Sequence, residues 1–239
     1  MNIIVTGGAS GLGEAITSKL AEDKNNVVYF TYFKSKENAA ALEKKFANAK
    51  AIHCNFNDAP SLNNLLAQME TMQLNVLVNN AFSLLEVTHF HKIAPTSFAD
   101  SFAQNIVPAM QLMQKALDIF RKEKSGKIIT ILSSAIINKP PLGWSKYVAE
   151  KNYLLSVCKS IALENASFNI TSNCVSPAFM LTELTKETDE RIIEEMTKKH
   201  PLKKLLTTAE TADSVVFLVH ATQQINGTNI IINAAADLV

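Results

Sequence analysis

Short runs of apolar, mostly β-branched residues alternate along the chain with longer segments of helical character. This alternation limits the fold more than any other feature. The seven runs fall at 3–6, 27–32, 51–54, 76–78, 127–132, 170–175 and 228–232, and the helical segments at 13–21, 36–46, 61–72, 96–121, 144–165 and 209–219. Several runs lack a two-residue polar alternation, as expected of strands covered on both faces. The register predicts an α/β fold: a doubly wound, mostly parallel seven-stranded sheet with right-handed crossovers and helices on both faces. No internal repeat, linker or low-complexity stretch interrupts it, so a single domain is expected over 1–239. One departure is a charged, helix-forming insert at 184–200, between the sixth and seventh runs. Beside the carboxyl edge of the sheet such an insert suits a substrate lid; a passive solvated helix is the alternative.

Charge narrows the partners. Lysine and arginine total 23 against 22 acidic residues, a formal charge of +1, and the arginines are only Arg121 and Arg191. Nucleic acid and anionic membrane surfaces are bound through clustered cationic surplus, so neither partner is expected. Cys54, Cys158 and Cys174 are widely spaced and odd in number. That fits reduced, buried thiols in a cytoplasmic protein and offers no metal or redox motif. No apolar run approaches the roughly 18 residues of a bilayer span, and residues 2–5 read as a first strand, not as a leader. His89 and His91 lack a third ligand nearby, so no metal is expected.

The first run leads into Thr6-Gly7-Gly8-Ala9-Ser10-Gly11-Leu12-Gly13. Glycines at a strand-to-helix turn allow a tight bend and close backbone approach, and the helix N-terminus then offers free N–H groups to a pyrophosphate. The spacing Gly7-x-x-x-Gly11-x-Gly13 differs from the common G-x-G-x-x-G, and a turn that only packs helix on strand would also use glycines. The second run ends Phe30-Thr31-Tyr32-Phe33-Lys34-Ser35 without an acid. A carboxylate there would hold a ribose 2′-hydroxyl and repel a 2′-phosphate. Its absence, with Lys34 and Ser35 available, favours NADP(H); an ordinary surface lysine would leave NAD(H) open.

Ser134 follows the fifth run, Tyr147 comes thirteen residues later, and Lys151 follows one helical turn on. The i,i+4 spacing puts phenol and ammonium on one helix face. A free tyrosine has a pKa of about 10; a neighbouring cation and the first turn of a helix both favour the phenolate. Such a tyrosine can serve as general acid or base toward a carbonyl or hydroxyl, with Ser134 as a hydrogen-bond donor to the same oxygen.

With these motifs in this order, the sequence resembles the short-chain dehydrogenase/reductase family over essentially its whole length. The carrying residues are Thr6-Gly7, Gly11-Leu12-Gly13, Asn79-Asn80-Ala81, Ser134, Tyr147-x-x-x-Lys151, and Pro177 with Thr182. The resemblance implies a Rossmann-type sheet, with Tyr147 as proton donor or acceptor, Lys151 on the nicotinamide ribose lowering the tyrosine's pKa, and Ser134 orienting the substrate oxygen. It implies that Asn105 anchors a proton-relay water, Asn79 ties the fourth strand to its neighbours, and Thr182 meets the nicotinamide carboxamide. Cofactor contacts are further expected from Ser10, Tyr32, Ala81, Pro177, and Asn55 with Phe56, where an aspartate commonly meets the adenine. An apolar substrate cleft is expected from Ile136, Trp144, Phe179, Met180 and Leu184. Pairing of the two long helices through Val148, Leu155 and Ile161 would give a homodimer or homotetramer.

Several positions depart from the family pattern. Phe82 stands for the glycine of Asn-Asn-Ala-Gly, Ala178 for the glycine of Pro-Gly, Asn233-Ala234-Ala235 for Asp-Gly-Gly, and Ser10 where many NADP-dependent members carry a basic residue. The leading expectation is an oxidoreductase acting on a small-molecule carbonyl or secondary alcohol. The alternatives are a β-ketoacyl-carrier-protein reductase, which the scarcity of arginine disfavours, and a dinucleotide-binding sensor or assembly protein without turnover.

Overall fold

A computed structural model describes residues 1–83, 85–186 and 188–237. Seven strands form one sheet in the order β3-β2-β1-β4-β5-β6-β7. They are β1 (Asn2–Val5), β2 (Val27–Tyr32), β3 (Ala49–His53), β4 (Val76–Asn79), β5 (Gly126–Ile131), β6 (Ile170–Pro177) and β7 (Asn229–Ile232). Every neighbouring pair is parallel, so the sheet is wholly so. The helices are α1 (Gly11–Glu22), α2 (Lys36–Lys45), α3 (Ala59–Thr71), α4 (Pro95–Glu123), α5 (Ser145–Asn165), α6 (Glu190–Lys199) and α7 (Thr208–His220).

The two-residue period of a strand sends alternate side chains to opposite faces, and here both faces are apolar. Ile3 and Val5 of β1, Val76 and Val78 of β4, and Ile129 and Ile131 of β5 pack beneath α1, α2 and α7. Ile4, Leu77 and Ile128 pack on the other side against α3, α4 and α5. Each such side chain, removed from water, contributes about 1.5–3 kcal/mol. The continuous apolar runs are therefore a consequence of covering on both faces.

Strand β6 extends two residues beyond its apolar run, because Ser176 and Pro177 pair with Ile231 and Ile232 of β7. Two of its buried polar side chains are partnered across to the β7 side: the Ser176 hydroxyl donates to Asn229 Oδ1 at 2.8 Å, and Asn173 Nδ2 donates to the Ile225 carbonyl at 2.8 Å. The insert at 184–200, whose residue 187 lies outside the described residues, contains α6, which has no buried residue. Lys198–Glu194 and Lys199–Glu195 pairs line it, and Ile192 is exposed. All three cysteines are buried and free. No helix among the described residues is long and apolar enough to cross a membrane.

The chain leaves β1 toward β2 on one side and enters β4 on the other. Open α/β sheets bind ligands in the crevice at the carboxyl ends of such strands. The segments following β1, β4, β5 and β6 meet there.

Candidate active site

The glycine turn is fixed from beneath. Thr6 is fully buried, and its Oγ1 accepts from the N–H groups of Asn80 and Ala81, each at 2.9 Å. Asn80 Nδ2 donates to the Thr6 carbonyl at 2.9 Å. The tie expected of Asn79 thus belongs to Asn80: it has left β4, so its side chain turns back over the end of β1, while Asn79 lines the cleft. Gly7 and Gly11 hold φ of +63° and +53°, and a Cβ on Gly13 would lie 2.0 Å from the Gly7 carbonyl oxygen. Only glycine allows α1 to come so close to the turn. Ser10 is the N-cap of α1 but makes no side-chain cap bond. The first-turn N–H groups therefore remain available to an anion. A Cβ on Gly11 would lie 3.2 Å from Thr182 Cβ, so Thr182 faces this cradle from across the cleft.

A cleft of about 190 Å³ continues from the turn, walled by Tyr32, Phe33, Asn55, Phe56, Asn79 and Ala81. Asn55 Oδ1 already accepts from the Asn57 N–H at 3.0 Å, which leaves its side-chain N–H groups for a ligand. Lys34 stands at the rim, its Nζ 5.8 Å from the Phe33 ring centre, and Ser35 caps α2 without a side-chain bond. Leu12 lies in the core, so only its backbone is available to a cofactor. Pro177 closes β6, and the ladder continues through Ala178, whose N–H donates to the Ile232 carbonyl at 2.8 Å. The Pro-Gly departure is thereby absorbed.

Tyr147 lies in the first turn of α5, with Lys151 one turn further. Lys151 is buried, and its Nζ donates to the Ile131 carbonyl at 2.8 Å. Burial pushes the Tyr147 phenol up to about 12, against the pull of a hydrogen bond with the Ser133 hydroxyl. Burial also brings Lys151 down to about 7, against the opposing influence of Glu150 and then Cys174. The phenol thus sits above its ordinary value, not below it as the lysine's proximity suggested, because desolvation outweighs the pull of the Ser133 hydroxyl.

The hydroxyl that reaches Tyr147 is that of Ser133, not the expected Ser134. Leu132 still donates to the Val175 carbonyl at 2.7 Å, so Ser133 is the first residue off the sheet, and the chain then coils into a single 3-10 turn at Ser134–Ile136. Counting forward from the strand finds Ser133; counting back thirteen residues from the tyrosine lands one position late.

Aromatic rings close over the phenol. Phe82 and Trp144 both meet the Tyr147 ring edge-on, at 5.2 and 5.6 Å between centroids. Phe82, at the position where the family pattern has glycine, does not adopt a positive φ. Of the remaining substrate candidates, Ile136 packs partly against the α5-side core, and Phe179 is half-buried. Met180 is a correction: its side chain is in the core beneath α7, where its sulfur accepts from the Thr211 hydroxyl at 3.1 Å. Ile161 is likewise core and unavailable for helix pairing.

Two groups escaped sequence reading. Lys146 is buried and clamps the loop after β4 to α4 and α5, through Glu86 at 2.5 Å and the Ser97 hydroxyl at 2.7 Å. Glu150 is buried beside Asn105, whose Nδ2 donates to Glu150 Oε2 at 3.2 Å. Asn105 Oδ1 accepts from the Ser83 N–H and O–H at 2.8 and 2.6 Å.

Known proteins resemble this chain in sequence and in fold. The family model described as short chain dehydrogenase matches residues 1–192. A 3-oxoacyl-(acyl-carrier-protein) reductase of Staphylococcus aureus is 31% identical over 221 residues, covering 90% of this chain and 89% of that protein. One of Mycobacterium bovis is 28% identical over 220 residues, covering 91% and 84%. The crystal structure of an actinorhodin polyketide ketoreductase variant with NADPH superposes with a TM-score of 0.88 at 20% identity, covering 99% of this chain and 97% of that one. The glycine turn, the Asn79-Asn80-Ala81 segment and the Tyr147/Lys151 pair occur in one chain whose first 192 residues match that family, and the protein belongs to the short-chain dehydrogenase family.

Proposed function

We propose that the protein is an NADP(H)-dependent reductase of a small-molecule carbonyl compound. One observation carries this most directly: Ser133, Tyr147 and Lys151 converge at the carboxyl edge of the sheet, in the crevice that begins at the glycine turn. The uncapped start of α1, with the glycine cradle and Thr182 opposite, suits a pyrophosphate, and the cleft lined by Tyr32, Asn55 and Phe56 suits an adenosine. NADPH, when bound, supplies the hydride. Lys34 at the end of β2, where no carboxylate stands, and the NADPH held by the similar ketoreductase favour the phosphorylated cofactor.

The chain's own groups handle the proton. Tyr147 carries its Oη proton throughout the neutral range, because burial holds its pKa near 12. It therefore suits the donor role toward a carbonyl oxygen that gains negative charge. The Ser133 hydroxyl, close enough to lower the same phenol, offers a second donor for that oxygen. Lys151, anchored on the Ile131 carbonyl, presents its ammonium to a ribose and favours the phenolate left after proton transfer. Phe82 and Trp144 exclude water around the phenol.

A 3-oxoacyl thioester on a carrier protein is the second candidate substrate, favoured by the names of the relatives at 28–31% identity. Exposed Val107, Tyr153 and Leu163 on α4 and α5 support homo-oligomerisation through these helices, and the buried free thiols fit a cytoplasmic setting. NADPH oxidation against ketones, aldehydes and 3-oxoacyl thioesters tests the assignment. Turnover with at least one class, and tighter binding of NADPH than NADH, is expected. Cofactor binding without turnover on any of them would favour a sensor, and a preference for NADH would reject the part given to Lys34.

A further inference from the structure

Glu150 is only 5% exposed, one residue before Lys151 and three after Tyr147. Its Oε2 is held by Asn105 Nδ2 at 3.2 Å, and its Oε1 is buried without a partner. An unpaired buried carboxylate oxygen is unfavourable, and the packing of α4 on α5 needs no charge at this place, which an amide or an apolar side chain would fill. Two features of the site give the carboxylate a purpose. Asn105 passes its hold on to Ser83, next to Phe82, so Glu150, Asn105 and Ser83 form one hydrogen-bonded chain from α5 through α4 to the loop over the phenol. Glu150 is also the foremost negative influence offsetting the desolvation of Lys151.

We infer that Glu150 is a positioning residue of the reducing site: through Asn105 it holds the Ser83–Phe82 segment against Tyr147 and Lys151, and it sets a negative charge beside Lys151. This rests on the reductase assignment above. The charged groups acting on Glu150 are Lys151 and Lys146 of its own helix; α4 presents the neutral Ser101 and Asn105, and the loop after β4 presents Ser83 and Glu86, the latter paired with Lys146. Burial raises the carboxyl from its ordinary value while the bonds and both lysines lower it. Removing this negative charge favours both the neutral amine of Lys151 and the phenolate of Tyr147, so both changes move loss of the donor state to lower pH.

The test is Glu150→Gln, which keeps shape and loses charge, measured in two ways. The alkaline limb of kcat/KM for carbonyl reduction is expected to move down by about one pH unit. In protein labelled with 13C-lysine and free of substrate, the Lys151 resonance, assigned with Lys151→Arg, is expected to titrate at lower pH than in the wild type. An unmoved Lys151 titration overturns the charge assignment, whatever the kinetics show. Glu150→Asp keeps the charge but withdraws it from Asn105; the Lys151 titration is expected to stay while kcat falls about tenfold. This variant also serves if the Gln variant fails to fold, and wild-type kcat in it overturns the positioning role. A wild-type protein that reduces no carbonyl would refute the reductase assignment, while the lysine titration would still decide the part played by Glu150.

Discussion

The ammonium of Lys151 lies 4.3 Å from the centre of the Phe82 ring, nearer than the 5.6 Å that separates it from the centre of Tyr147. The position that is glycine in the family pattern therefore carries a ring over the charged half of the catalytic pair. A cation–π contact is worth about 0.5–2 kcal/mol. Burial has the opposite effect on the ammonium and is the larger of the two, since Lys151 is held down at about 7. Phe82→Ala admits water and removes more penalty than attraction. Lysine titration followed by NMR is expected to show Lys151 returning toward its ordinary value.

Ser133 and Ser134 can be separated by substitution. Removing a donor to a developing oxyanion costs about 10²–10³ in kcat. Ser133→Ala is expected to lose that much, and Ser134→Ala to stay within a few-fold of wild type. Steady-state kinetics on the same carbonyl substrate, with melting temperatures to confirm folding, compare them directly.

The buried lysine also gives folding stability a pH dependence. Its pKa is about 7 in the folded protein against 10.5 for the free group. Between those values the unfolded chain binds more protons, so stability rises with pH, by up to about 1.4 kcal/mol per unit. The raised phenol of Tyr147 opposes this only above pH 10. Denaturant unfolding from pH 7 to 9 is expected to show the rise, and Lys151→Met to flatten it while abolishing turnover.

Ala234 and Ala235 hold φ of +52° and +61° where the family pattern has two glycines. The left-handed conformation costs a non-glycine residue about 1–2 kcal/mol, partly offset by the greater freedom of glycine in the unfolded chain. Ala234→Gly and Ala235→Gly are each expected to stabilise by about 0.5–1 kcal/mol, read as a melting temperature raised by roughly 1–4 °C.

The sheet was legible because its code is local. The runs from Ile3 to Ile232 become strands within a residue or two at their ends, since apolar covering on both faces leaves the same mark wherever it occurs. The glycine turn and the Tyr147/Lys151 spacing were legible for the same reason, being set by one turn and one helical repeat. What escaped depends on where consecutive residues point after an element ends. Ser133 and Ser134, or Asn79 and Asn80, differ by one step along the chain, and a coil or a strand exit decides which faces the cleft. Met180 likewise turns inward. Glu150 left no mark in sequence because a charged residue on a helix is read as solvated, and only the approach of α4 buries it.

On the proposed mechanism the Oη proton of Tyr147 is the one delivered to the substrate oxygen. Tyr147→Phe removes that oxygen and keeps the ring between Phe82 and Trp144. The direct measurement is NADPH oxidation by this variant with the best wild-type carbonyl substrate, alongside NADPH binding by fluorescence. Turnover lost by at least about 10³-fold with binding retained is the expected result; turnover close to that of the wild type would contradict the account.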